Sequence, residues 1–198
     1  MTQPLFVYNQ EQAVSAGQSG YITESGDYIL TIDEAKLYTT ESNAKFIEFS
    51  GETDDGRKVN YLSVCVFKKD GSPNTFGQNM VQAIMGCAGV QQITEKMLAV
   101  NHVIAPEFTG KRVGLVLQKI LKTKKSTGAD TFSFDIRIPF IPSTRQTIAE
   151  KIDGAAPTAI DKIVSQLSDK DERSKSAQSS NQWQGNNSNE YPGDENFF

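Results

Sequence analysis

The sequence predicts a mainly β domain, a five-stranded barrel with one helix between its third and fourth strands. Three observations carry this expectation. Five separate runs read as strands, most of them alternating with period two, Asp55-Gly56 supplies a hairpin turn between the second and third, and the stretch after Asp70-Gly71 switches to helical spacing. Of the 198 residues, positions 1–170 are long enough for one domain with its own core, and 171–198 read as a tail.

Residues 1–20 are polar and mixed, an irregular lead-in. In the first run, Tyr28 to Tyr38, Tyr28, Leu30 and Ile32 alternate with Ile29, Thr31 and Asp33. A polar turn at 40–43 leads to the second, Lys45 to Thr53, with Ile47 and Phe49 on one face and Phe46 and Glu48 on the other. The third, Lys58 to Lys68, sets Leu62, Val64 and Val66 against Tyr61, Ser63, Cys65 and Phe67. Phe76, Met80, Val81, Ile84 and Met85 then recur at helical spacing, with Thr75 and Gln78 resembling a capping box and Gly86 and Gly89 as stops. Two more strands follow, Arg112 to Leu121 and Thr131 to Phe140, the second placing Phe132, Phe134, Ile136, Ile138 and Phe140 in the core. Beyond Pro142, Ile160, Ile163, Val164 and Leu167 fall at i, i+3, i+4 and i+7. This extra C-terminal helix, with Pro157 in its first turn, packs on the barrel or on a partner subunit, so monomer and homodimer both stay open. Three strands, a helix and two strands is the order of the OB-fold barrel.

The formal net charge of −4 hides an uneven distribution. Residues 1–110 hold 7 basic and 13 acidic side chains, residues 111–151 hold 9 and 3, and residues 171–198 hold 2 and 5. A basic stretch therefore sits in an acidic chain, either as an anion-binding patch or as a solvated face. Cys65 and Cys87 form no CxxC pair and His102 is the only histidine, which predicts reduced thiols, no zinc or redox site and no bound cofactor. No nucleophile motif surrounds any Ser or Cys, and Asp54-Asp55 is accounted for by its turn, so no enzymatic activity is expected. The first residues lack a basic region followed by an apolar run, and nowhere do 18 apolar residues run together. The expectation is a soluble, cytoplasmic protein without membrane contact.

From Asp171 to Phe198 there is no Ile, Leu, Val or Met, while Ser, Asn, Gln and acids dominate. Such a segment cannot bury enough apolar surface to fold, which predicts a disordered acidic tail. Its tip, Asp194, Glu195, Asn196, Phe197 and Phe198, joins acids to aromatics and is suited to docking on a partner, because exposed aromatics without a role are a solubility liability.

Lys111, Arg112, Lys119, Lys122, Lys124 and Lys125 lie in the fourth strand and its flanks with no acid between Glu107 and Asp130, and Arg137 follows on the fifth strand. Lysines at a strand edge also guard against aggregation. In an OB barrel, however, the loop between strands four and five flanks the oligonucleotide-binding face, where lysines neutralise phosphates and make binding salt dependent. Phe46, Tyr61 and Phe67, on the outer side of strands two and three, are the candidate stacking platforms, each contributing about 1–3 kcal/mol per base. Aromatics in strands are more often core. Tyr61 ranks first, because Leu62, Val64 and Val66 already supply the buried face.

An OB-like core, a Ser/Asn/Gln/Gly-rich linker and an acidic tip ending in Phe resemble the single-stranded DNA-binding proteins of bacteriophage replication and recombination modules. The resemblance implies a non-catalytic protein of the bacterial host cytoplasm that coats and protects single-stranded DNA without sequence preference in replication, recombination and repair. It also implies that Asp194, Glu195, Phe197 and Phe198 recruit replication or recombination proteins and compete with DNA for the basic groove. Asn196 interrupts the acids and the last aromatic is doubled, which departs from that pattern. The alternatives are a protein-interaction adaptor or recombination mediator without strong intrinsic DNA binding, and a nuclease using clustered carboxylates.

Overall fold

The computed structural model describes residues 7–10 and 20–173. The tip, with Asp194, Glu195, Phe197 and Phe198, lies outside the described residues, as does most of the lead-in.

β1, Gly26–Thr39, serves two sets of neighbours. One edge pairs with β2, Lys45–Thr53, over residues 30–39. The other pairs with β6, Arg112–Thr123, over residues 26–31 and with β5, His102–Ile104, at Lys36 and Leu37. A bulge at Asp33 permits this, carrying the buried positions from Leu30 and Ile32 to Ala35. The change of parity bends the strand while the same side stays in the core. β3, Lys58–Phe67, adds to β2, β4, Lys96–Ala99, adds to β5, and β7, Asp130–Phe140, adds to β6, all antiparallel. β8, Lys170–Asp171, runs parallel to β6 at Ile120 and Leu121.

This sheet is open, which corrects the expectation of a closed five-stranded barrel. Among the described residues the one strand that forms a ladder with β3 is β2, single bridges join Lys58 to Tyr21 and Phe67 to Pro73, and no ladder joins β3 to β7. α1, Thr75–Ala88, occupies that side instead, sending Met80, Val81, Ile84 and Met85 into a core shared with Leu62 and Phe134. It approaches closely because residue 77 is glycine; a Cβ there would overlap the Cys65 carbonyl oxygen. The expected capping box at Thr75 and Gln78 does not form. Asn74 is the N-cap, and its side-chain amide and that of Gln78 donate to the Cys65 and Val66 carbonyls, fastening the helix to β3. The helix also runs through Gly86 and stops at Gly89, which takes the left-handed conformation.

β6 is buried on both faces from Val113 to Leu117. Val113, Leu115 and Leu117 enter the main core, whereas Val116 joins Phe140 and Ile160 in a second cluster. The extra residue Arg137 in β7 moves Ile138 and Phe140 to that second side. α3, Ala159–Ser165, covers it with Ile160, Ile163 and Val164, so the chain's own sheet occupies the apolar face that the sequence left open to a partner. Pro157 precedes the N-cap Thr158 and lies outside the first turn. Phe132 is also corrected: it is 41% exposed rather than core. The functioning capping box is Thr147 with Glu150, at the start of α2, Ile148–Asp153. Glu150 further accepts from the Thr158 and Ala159 N–H groups, tying α2 to α3. Asp171, Glu172 and Arg173, expected in the tail, are held to the sheet: the Glu172 N–H donates to the Leu121 carbonyl at 2.9 Å and Arg173 pairs with Asp130 at 3.2 Å. No helix among the described residues is long and apolar enough to cross a membrane.

Candidate nucleic-acid interface

The β1–β2 turn decides which side chains meet at one end of the sheet. The Thr40 N–H donates to the Ala44 carbonyl at 2.8 Å, the Ala44 N–H donates to the Thr40 hydroxyl at 3.0 Å, and Asn43 takes φ +68°. This closes the hairpin with Tyr38 opposite Phe46. Both rings lie on the outer face and stack, centroids 5.3 Å apart and planes within 9°. The Tyr38 hydroxyl reaches Ser63 Oγ at 3.4 Å, and that hydroxyl donates to Glu48 Oε2 at 2.8 Å. Phe67 closes β3 at 36% exposure, with the Lys45 ammonium 5.8 Å from its ring centroid.

Tyr61 continues this outer line at the other end of β3. Asn60 and Tyr61 together oppose Ser50 in a bulge, where Tyr61 takes φ +64° and leaves its side chain 75% exposed. A left-handed backbone on an aromatic residue costs on the order of 1–3 kcal/mol. An exposed ring held against that cost returns nothing to the core. From Tyr61 to Cys65, the partner of Phe46, the line is about 13 Å long at strand rise. The extra residue Val66 turns Phe67 to the opposite side of the strand, beside Lys45, which corrects its expected place on the outer face.

Beside Tyr38, Phe46 and Phe67 lies a cleft of about 840 Å³. Gln78, Asn79 and Gln82 of α1 line it on one side, and Ile93 to Val103, including part of the β4–β5 hairpin, lines it on the other. His102 Nε2 lies 2.8 Å from Glu34 Oε2, bracing that hairpin to β1.

The basic residues lie elsewhere. β6 is antiparallel to β1 with Leu117 opposite Gly26, so Lys122, Lys124 and Lys125 project past the start of β1, whereas Tyr38 and Phe46 mark its end. Lys124 and Lys125 are exposed and Lys122 half-buried, and none forms an ion pair among the described residues. The other cations are engaged: Arg112 pairs with Asp54 at 2.5 Å, Lys119 lies 3.9 Å from Asp169 with its ammonium over Phe132, and Arg137 donates to Gln118 at 3.3 Å. Lys111 is exposed just before β6. The sequence-derived candidates thus fall into an aromatic end with Phe46 and Phe67 on opposite sides of the sheet, Tyr61 along the strand from Phe67, and a separate basic hairpin.

Sequence reasoning missed Tyr38, Lys45 and the α1 amides. Tyr38 and Phe46 are equidistant from Ser42, so a hairpin centred there would have paired them. The amides gave no signal beyond their helical spacing. The chain matches no family model and no curated protein.

Proposed function

We propose that this protein binds single-stranded nucleic acid, DNA first, without catalysing a reaction on it. The observation that carries the reading is the end of β1–β3, where Tyr38 and Phe46 on the outer face and Phe67 on the opposite side line one cleft, while Tyr61 is held exposed in a strained bulge. Aromatic faces stack on any base, and Lys45 places a cation beside them for the phosphates. The element order and the bent first strand, shared between β2 and β6, support an OB-like arrangement opened by α1. Lys122, Lys124 and Lys125 form a second contact for the nucleic-acid backbone, beyond the aromatic face. In this reading the protein protects single strands in DNA replication, recombination and repair, and the acidic tip recruits the proteins that act on them.

β8 delivers the chain to the basic hairpin, since it lies on Ile120 and Leu121, next to Lys122. The acidic segment that follows is tethered where it can compete with phosphates for the lysines.

The test is a fluorescence-anisotropy titration of labelled single-stranded and duplex oligonucleotides across a salt series. Tight, salt-weakened binding of the single strand and weaker binding of the duplex are expected. No binding at low salt, or equal affinity for duplex, contradicts the reading.

One observation favours an adaptor that docks another protein: the β4–β5 hairpin presents Met97 at 72% and Val100 at 87% exposure. A pull-down that depends on these residues, without nucleic-acid binding, would establish that reading instead.

A further inference from the structure

We propose that the cleft between α1 and the β4–β5 hairpin takes one unstacked base and selects a purine, through the side-chain amides of Asn79 and Gln82. The inference rests on reading the neighbouring face as a site for single strands, and it departs from binding that is indifferent to sequence.

α1 has 14 residues and not one charged side chain. A helix with one face in water ordinarily carries charges there. Here the positions turned to the cleft are Gln78, Asn79 and Gln82. Gln78 is committed, its amide nitrogen donating to the Val66 carbonyl at 3.3 Å. Asn79 and Gln82 are exposed, and their side-chain amides hydrogen-bond to no other described residue. Spaced i and i+3, they are neighbours on one helix face and offer two amides to the same ligand. Uncharged amides are poor partners for a phosphate. They suit a planar ligand that carries a donor beside an acceptor, laid against the aromatic rings that line the same cleft.

Each amide pairs in bidentate fashion only with an edge that has one donor next to one acceptor. Pyrimidines present one hydrogen-bonding edge, their other side being apolar carbon. Guanine presents two such pairs, O6 with N1–H and N3 with N2–H, although its N7 and O6 edge is acceptor only. Adenine also presents two, N6–H with N1 and N6–H with N7, so either purine satisfies two amides at once and a pyrimidine only one. A volume of about 840 Å³ leaves room for a purine with its sugar.

The experiment titrates the full-length protein with labelled dT12 and with dT12 carrying one central dA, dG, dC or 7-deaza-dA. A central dA or dG should tighten binding about fivefold or more over dT12, as one bidentate contact does, and a central dC should not. The dA gain should vanish with 7-deaza-dA, which lacks N7, and both gains should vanish in Asn79→Leu and in Gln82→Leu, each read as the ratio of affinities for the purine-containing oligonucleotide and dT12 in the same protein. If dT12 binds but neither purine gives a gain, or the dA gain survives 7-deaza substitution, or the gains survive both amide replacements, the selection is overturned and the single-strand reading stands. If no oligonucleotide binds, the single-strand reading itself is overturned, and the selection with it.

Discussion

Tyr38 and Phe46, on neighbouring strands and equidistant from Ser42, stack within 9° of parallel at a centroid separation of 5.3 Å. The pair faces outward, fixed by hairpin register, while Ile47 and Phe49 fill the core beneath. Packing therefore does not need these rings on the outside, and their exposed surface is free for a ligand.

Phe67 is the cleanest test of stacking, since it ends a strand and is already 36% exposed. Phe67→Leu should weaken single-strand binding by about 1–3 kcal/mol, roughly 5- to 150-fold. Thermal unfolding should be nearly unchanged. Anisotropy and circular dichroism on the same preparations check both halves.

Tyr61 should separate stability from binding. Tyr61→Gly relieves the left-handed backbone, though a glycine also gains freedom in the unfolded chain. The expected stability change runs from zero to about 1 kcal/mol in favour of the variant, read by urea denaturation. Oligonucleotide affinity should fall in the same protein. A residue whose removal steadies the fold and weakens binding is retained for the ligand.

Gly77 positions the helical wall of the cleft. In Gly77→Ala the new Cβ meets the Cys65 carbonyl oxygen, so α1 must lift from β3. A loss of about 1–3 kcal/mol or more is expected from such overpacking, read as a lower denaturant midpoint.

Glu150 links stability to pH. Its carboxyl is held down to about 2 by the backbone N–H groups of Thr147, Ala159 and Thr158 and the Thr147 hydroxyl. The folded value lies below the ordinary carboxylate range, so the ionised form favours folding. Its contribution is complete above the unfolded pKa of about 4.3 and is lost as the pH falls toward about 2. Melting temperatures of the wild type and Glu150→Gln should differ at neutral pH and converge in acid.

Lys122, Lys124 and Lys125 carry the electrostatic part of the proposal. Replacing all three by Gln should lower the slope of log affinity against log salt by about 2, near 0.7 per phosphate contact on a single strand. An unchanged slope would show that the hairpin does not touch the backbone.

Much of the fold was legible because its long elements obey their own periods. β2 falls on the expected residues, Lys45–Thr53, and β1, β3, β6, β7 and α1 lie close to theirs. The β4–β5 hairpin was not legible, since all of β4 is exposed and neither strand has room to alternate. Closure failed for a tertiary reason: β3 and β7 approach each other but form no ladder, and α1 packs on both, which no local pattern encodes. α2 was overlooked although Thr147 and Glu150 spell its capping box, because six residues are too few for a hydrophobic stripe. At the site, alternation placed Phe46 on the outer face, but it could not foresee the bulge at Val66 that turns Phe67 to the other side. Tyr38 needed the hairpin register, and the separation of the lysines from the rings needed the pairing of β6 with β1.

The most direct measurement is ultraviolet cross-linking of the full-length protein to a single-stranded oligothymidylate, followed by mass-spectrometric mapping of the adducts. Adducts on peptides containing Tyr38, Phe46, Tyr61 or Phe67, suppressed by excess unlabelled single strand and not by duplex, are the predicted result. Adducts confined to other surfaces, or none under saturating conditions, would contradict the assignment of this face to single-stranded nucleic acid.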